Sequence, residues 1–499
     1  MIGALAMESR PHPVIIQGGM GVAISSWPLA RAVARAGQLG VVSGTALDVV
    51  LTRQLQLGDP GKHFRRALAE FPYPDVADRI LARYFIPEGK SPKQPFRPVP
   101  LPSQEPSAEA IELLVVANFA EVYLAKESRH GLVGVNYLEK IQTPLLPSLF
   151  GAMLGGVDYV LMGAGIPRTI PGVLDRLSNG QPAELTLDVA GAGPDNRFVT
   201  RFDPRSFAGG EIPWIERPKF LAIVSSATLA TMLARKSNGR VDGFVVEGPS
   251  AGGHNAPPRG SMQVNARGEP QYGPRDVADL SAFRALDLPF WLAGSYGAPE
   301  RLCDALEAGA AGIQVGTAFA FCEESGLRND LKQQTLAQAR RGDLDVFTDP
   351  VASPTGFPFK ILRLRDTLSE MDAPSARKRQ CDLGYLRHAY QRTDGSLGWR
   401  CPAEKEEAYV QKGGALADTS GRKCLCNALL ANVGLGQLRE NGETERPLVT
   451  SGDDVRHISR YLPTSEATSY SAQDVISYLL SGMEGLLHSP QVSRKDGLV

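Results

Sequence analysis

The sequence predicts an α/β protein: a closed (β/α)8 TIM barrel with insertions and a mainly helical C-terminal region. Two observations carry this expectation. Short apolar runs ending in glycine or a small polar residue recur eight times, most of them followed by a helical pattern. The runs are continuously apolar rather than alternating, which is the pattern of strands covered on both faces. A doubly wound open sheet is the structural alternative. It needs edge strands, and no run is polar or proline-broken as an edge would be.

The elements follow in order. The first run is Val14–Gly21, "VIIQGGMG", and a helical pattern over Ser25–Gly37 comes next, with Gly37 placed to end it. The later runs are Gly40–Thr45, Gly131–Leu138, Asp158–Gly165, Lys219–Ser226, Gly243–Pro249, Phe290–Tyr296 and Gly312–Phe319. Two insertions interrupt the rhythm, at about 55–130 and 180–215. The first holds a proline-rich extended stretch, Ile86–Ser107, and then a helix over Ala108–Ser128. In the second, Glu184–Pro204 alternates as a hairpin beside the barrel would. The barrel is expected to span 13–326, with 327–499 a separate helical and loop-rich region packed on it.

Composition sets the class. With 53 Lys and Arg against 54 Asp and Glu the net charge is −1, so no bulk field draws the chain to nucleic acid or a membrane surface. Neither a secretory leader nor an apolar stretch long enough to span a bilayer is read from the sequence, so a cytoplasmic protein is expected. The 6 cysteines then read as reduced thiols. Four fall late, at Cys381, Cys401, Cys424 and Cys426. Four thiols could make a zinc or iron–sulfur site, but their spacing matches no standard signature and no metal is expected.

The chemistry should sit at the carboxyl ends of the strands. Those ends are poor in side chains: Gly18-Gly19-Met20-Gly21, Ser43-Gly44-Thr45, Asn136, Gly163-Ala164-Gly165, Glu247-Gly248, Gly294-Ser295 and Gly316-Thr317. Bare backbone lets a ligand approach closely. In Leu292–Phe319 two such ends flank a short helix. Amides at Gly294–Tyr296 and Gly316–Thr317, with the Thr317 hydroxyl and a helix start, would cradle a phosphate. At the first strand, Met20 between Gly19 and Gly21 suits the face and edge of an aromatic ring. A phosphate and a planar ring together point to FMN. The loop Gly248–Asn255, "GPSAGGHN", is pared of bulk by Gly252 and Gly253 and presents His254, a titratable group able to exchange a proton with whatever lies beneath it.

In this order, "QGGMG", "VNYL", "MGAGIP", "EGPSAGGHN" and "AGSYGAPERL…GAAGIQVGTAF" resemble the nitronate monooxygenase family, formerly the 2-nitropropane dioxygenases, over roughly Pro13 to Gly326. The resemblance implies a (β/α)8 barrel with non-covalent FMN. Gly19, Met20 and Gly21 would line the isoalloxazine and Asn136 would lie near it. Gly294, Ser295, Gly316 and Thr317 would bind the phosphate, and His254 would be the catalytic histidine. Simpler members of the family have a second glycine where this chain has Ser295, and a short loop after the histidine. Here that loop runs Asn255–Asp276 and carries Arg259 and Arg267 near the expected mouth. The insertions and the C-terminal extension look like a longer branch, which resembles stand-alone flavin-dependent enoyl reductases of polyketide and polyunsaturated fatty-acid synthesis.

Two activities follow as expectations. The first is oxidation of alkyl nitronates with O2 by an FMN-dependent monooxygenase. The alternative is NAD(P)H-dependent reduction of an enoyl thioester on an acyl carrier protein, with Arg259 and Arg267 meeting the acidic carrier. A non-catalytic flavin- or nucleotide-binding barrel is a third reading. A purine-nucleotide oxidase would need a cysteine at the strand ends, and neither Cys303, within a helical pattern, nor Cys322, past the last strand, suits that role.

Overall fold

A computed structural model describes residues 12–127, 131–193, 195–370 and 378–483. Residues 1–11, on which the absence of a leader was read, Ser128 at the end of the expected helix, and 484–499 of the C-terminal region lie outside the described residues.

The eight apolar runs form eight parallel strands: β1 Ile15–Gln17, β2 Leu39–Ser43, β3 Leu132–Leu138, β4 Tyr159–Gly163, β5 Lys219–Val224, β6 Gly243–Glu247, β7 Phe290–Ala293 and β8 Gly312–Val315. They pair in sequence order, and β8 returns to β1 with Ile15 beside Ile313 and Gln17 beside Val315, so the sheet is a closed barrel without edges. The open-sheet alternative is thereby excluded. Continuous burial has a direct cause. Ile16, Leu39, Val41, Leu161, Leu221, Val245 and Trp291 fill the barrel axis, while the intervening residues face the surrounding helices. The indole N–H of Trp291 donates to Pro13 O at 2.8 Å, which satisfies the one polar atom this large side chain brings inside.

The helix after β1 runs Trp27–Arg35, and Gly37 at φ +75° turns the chain back toward β2. The insertion helix Ala108–Lys126 is capped by the Ser107 side chain, which accepts from Ala110 N. It is apolar on all sides because it is buried on nearly all of them, against Trp27–Arg35 and Leu145–Leu154 among others. In the second insertion, Ala183–Thr186 pairs antiparallel with Val199–Phe202, the hairpin that alternation predicts.

Beyond the barrel come the helix Asn329–Arg341, an antiparallel pair Val346–Asp349 with Phe359–Leu362, and a second pair His388–Gln391 with Leu397–Arg400. The region therefore carries strands as well as helices. His388–Gln391 also pairs in parallel with Val189–Ala190 of the second insertion. Side chains tie this region to the barrel's outer layer. The Tyr385 hydroxyl donates to Asp48, the Arg53 guanidinium to Leu435 O, and the Gln437 amide to Phe96 O at 3.0 Å. No helix among the described residues is long and apolar enough to cross a membrane.

Candidate functional site

At the carboxyl ends of the strands the chain encloses a cavity of about 1370 Å³, its open mouth included. Gly19, Met20, Gly21, Asn136, Gly252, Gly253, His254, Gly294, Ser295, Gly316 and Thr317 all line it. Eleven positions singled out between Gly19 and Thr317 thus face one space.

Local structure explains how each wall is held. Gln17, the last residue of β1, donates to Ser25 Oγ at 2.8 Å and accepts from Val41 N at 2.9 Å. Ser25 Oγ in turn accepts from Met20 N at 2.9 Å and donates to Gly18 O at 2.9 Å, which fixes the glycine-rich turn. Gly19 lies flat on Asn136, and a Cβ there would stand 2.3 Å from Asn136 Cβ. Across the cavity Gly294 has φ +91° and Ser295 φ +57°. Two successive left-handed residues turn the backbone sharply under the ligand space, and a glycine would adopt the second without the cost that Ser295 carries.

Two details differ from the sequence reading of the cradle. The helix at Thr317 is one turn, Thr317–Ala320, too short to add a macrodipole, so the cradle rests on individual amides. The Thr317 hydroxyl accepts from Gly452 N at 2.9 Å and donates to Asp454, both from the C-terminal region. Burial raises the Asp454 carboxyl above its ordinary range, while the Thr317 hydroxyl and the nearby Arg460 charge pull it back. Arg460 Nη2 would stand 3.5 Å from a Cβ on Gly297, and Arg460 Nε is buried without a hydrogen-bond partner. A cation therefore stands next to Gly297, close behind the cradle.

The residues fit a flavin by their unspent polar atoms. Asn136 Oδ1 and Gln314 Oε1 line the cavity and are buried without partners. An orphan acceptor carries a desolvation cost that a ligand N–H removes. Gly316 leaves open space where a side chain would stand: a Cβ would meet only Met20, at 3.6 Å.

His254 is gripped from the C-terminal region. Its ring packs edge-on to Phe359 at 4.8 Å, and its Nε2 lies 2.6 Å from Ser353 Oγ. Lys360 N donates to Gly253 O at 3.0 Å and Asn255 N to Pro358 O at 2.9 Å, so His254 and Phe359 form one antiparallel bridge. Burial, and secondarily the Lys140 charge, lowers the ring's pKa to about 4. The ring is therefore neutral near pH 7, where an ordinary histidine is still partly protonated.

Sequence reasoning passed over several residues. Glu247 ends β6 at the cavity wall, and burial alone raises its pKa to about 7. Its strand-end position was a usable signal. Ile223, Phe359, Leu429 and Thr450–Gly452 also wall the cavity, the last three from beyond the barrel, where no local pattern marked them.

Glu247 sets a pH dependence. Its folded pKa lies above the unfolded value, so its contribution is fully present below about pH 4.5 and is lost as pH rises toward 7. Glu247→Gln should therefore gain stability relative to wild type at pH 8 but not at pH 4.5. We expect about 1–2 kcal/mol in urea unfolding of the flavin-free protein, discounted for the cavity's water.

Arg267, expected near the mouth, pairs with Asp345 at 2.6 Å and lies over the Phe347 ring, and both it and Arg259 are exposed. Cys381, Cys401, Cys424 and Cys426 gather around one small void away from the cavity. The Cys401 thiol donates to Cys381 and lowers its pKa to about 7. No group of three or more His, Cys, Asp or Glu side chains among the described residues stands as a metal site.

Comparison with known proteins places residues 215–363 in a match to the family described as nitronate monooxygenase. That span covers β5 to β8, His254, the cradle at Gly294–Thr317 and the Phe359 strand, but not Met20 or Asn136. The search of curated proteins finds no match. Among solved structures, FabK from Thermotoga maritima aligns at 16% identity and TM-score 0.47, covering 97% of this chain and 96% of that one. Nitroalkane oxidase from Streptomyces ansochromogenes aligns at 14% identity and TM-score 0.45, covering 97% and 99%. The enoyl reductase domain of MlnA from Bacillus amyloliquefaciens aligns at 12% and 0.46, covering 97% of each chain.

Proposed function

We infer that this chain, a flavin-dependent oxidoreductase of nitronate monooxygenase type on the match of residues 215–363, holds FMN in the barrel-end cavity and oxidises alkyl nitronates with O2. The observation that carries the reading is the pair of orphan acceptors, Asn136 Oδ1 and Gln314 Oε1, in a cavity whose far side is a bare-backbone cradle.

The phosphate would rest on the amides of Gly294–Tyr296 and Gly316–Thr317, with Arg460 nearby. The ring would lie on Gly19–Gly21, its N–H edge toward Asn136 or Gln314. Bound there, a flavin supplies one- and two-electron redox chemistry. The chain's own residues do the rest. His254, neutral near pH 7, offers an N–H to the nitro oxygens without the cost of a buried charge. Val22, Ile24, Ile223, Phe359 and Leu429 keep bulk water from the reacting carbon.

A second reading has its own observation. A cleft lined by Lys140, Arg387, His388 and Trp399 adjoins the His254 wall through Thr355. Its cations would suit the phosphate of a nicotinamide nucleotide or of a carrier-protein arm, as enoyl-thioester reduction requires. Arg259 and Arg267 are both exposed for a carrier protein, Arg267 already paired with Asp345.

The test is direct. The purified chain should be yellow, with flavin released on denaturation. Anaerobic mixing with an alkyl nitronate should bleach it, and NADPH should not. Bleaching by NADPH alone would transfer the assignment to the reductase reading. A colourless protein that takes up no FMN would remove both.

A further inference from the structure

Neutral near pH 7, the His254 ring carries a single N–H and, being hard to protonate, cannot keep a second proton that it takes. A substrate that must lose or gain a proton therefore needs a path beyond the ring. The structure supplies one. His254 Nε2 lies 2.6 Å from Ser353 Oγ, and Ser353 Oγ lies 2.8 Å from Thr355 Oγ1. Ser353 is fully buried, whereas Thr355 lines the second cleft and not the barrel cavity.

The hydrogen-bond valences leave this chain free to run both ways. Ser353 Oγ also accepts from Thr355 N at 3.2 Å, which uses one lone pair. One lone pair and one hydrogen remain for two partners. Ser353 can accept from Nε2–H and donate to Thr355, or accept from Thr355 and donate to a bare Nε2. Both arrangements satisfy Ser353 Oγ. The loop is held in register by the Arg422 guanidinium, which donates to Val351 O at 2.8 Å and to Ser353 O.

We propose that Ser353 and Thr355 form a proton relay connecting His254, and through it the barrel cavity, to water in the second cleft. The proposal rests on the reading of His254 as the group that handles the substrate's proton. With a neutral nitroalkane, the α C–H bond breaks and its electron pair stays on carbon, delocalised into the nitro group. The proton passes to Nδ1, Nε2–H to Ser353 Oγ, the Ser353 proton to Thr355 Oγ1 and the Thr355 proton to cleft water. One proton leaves, one nitronate remains, and His254 ends neutral as the other tautomer. The reverse sequence would protonate an enolate. A preformed nitronate needs no such transfer.

That difference provides the test. Wild type, Ser353→Ala and Thr355→Val, each as the full flavin-loaded chain, are assayed by oxygen uptake on an alkyl nitronate and on its neutral nitroalkane. Both variants should stay within about twofold of wild type on the nitronate and fall at least about tenfold on the nitroalkane. Equal rates on the nitroalkane overturn the relay, as does an equal loss on both substrates, which marks a structural role. If wild type uses neither substrate, the functional reading fails, and the relay is judged without turnover. In the flavin-free chain labelled with 15N-histidine, interchange of the two arrangements should average the His254 ring-nitrogen shifts. Ser353→Ala should resolve them to one tautomer, and an unchanged spectrum overturns the relay.

Discussion

Replacing His254 with alanine is expected to lower turnover about 10²- to 10³-fold while leaving the flavin absorbance in place. The ring supplies the one titratable side chain of the glycine-pared loop, yet its packing is against Phe359 and Ser353 rather than the phosphate cradle. Cofactor retention should therefore survive. Steady-state kcat/KM and the visible spectrum of the purified variant check both parts. Because burial holds the ring's pKa near 4, wild-type activity should show no histidine limb between pH 6 and 8. Full turnover by a flavin-loaded His254→Ala variant would remove the residue from the chemistry.

Gly316→Val should abolish flavin binding without unfolding the barrel. Gly316 has φ −103°, which any residue adopts, and a Cβ there meets only Met20 Sδ at 3.6 Å and Cγ at 3.8 Å. The valine methyls would then occupy the cradle itself. We expect FMN affinity to fall at least about 100-fold, roughly 3 kcal/mol, with stability of the flavin-free protein within about 1 kcal/mol of wild type. Quenching of FMN fluorescence on titration measures the first and urea unfolding the second. Undiminished affinity would place the phosphate elsewhere.

How much of this could be read from sequence depended on how local each signal was. Strands such as Ile15–Gln17 and Phe290–Ala293 announced themselves because barrel strands are covered on both faces and leave continuous apolar runs. Ala183–Thr186 and Val199–Phe202 showed the opposite alternation, because one face of that hairpin meets solvent. The glycines of the site were visible for a similar reason: a close backbone approach removes side chains in one short stretch. What stayed hidden was what arrives from far along the chain. Nothing near Ser353 marks it as the partner of a histidine 99 residues earlier, and nothing near Asp454 marks it as the group that takes the Thr317 hydroxyl. The shift of His254 escaped for the same reason, since it comes from burial under Phe359 and from Lys140, neither of them a sequence neighbour. Glu247 was legible in position but not in state.

Phe359, Leu429, Thr450–Gly452 and Asp454 give the cavity a roof made by a different stretch of chain from its floor. Between Ala431 and Asp453 that roof is strung on turns and bends without a helix or long strand, so a single cut there would leave it hinged at one end while the closed barrel beneath stayed intact. Limited proteolysis should thus bleach the protein well before it melts it, and the rate of colour loss and the rate of unfolding would run as two separate clocks.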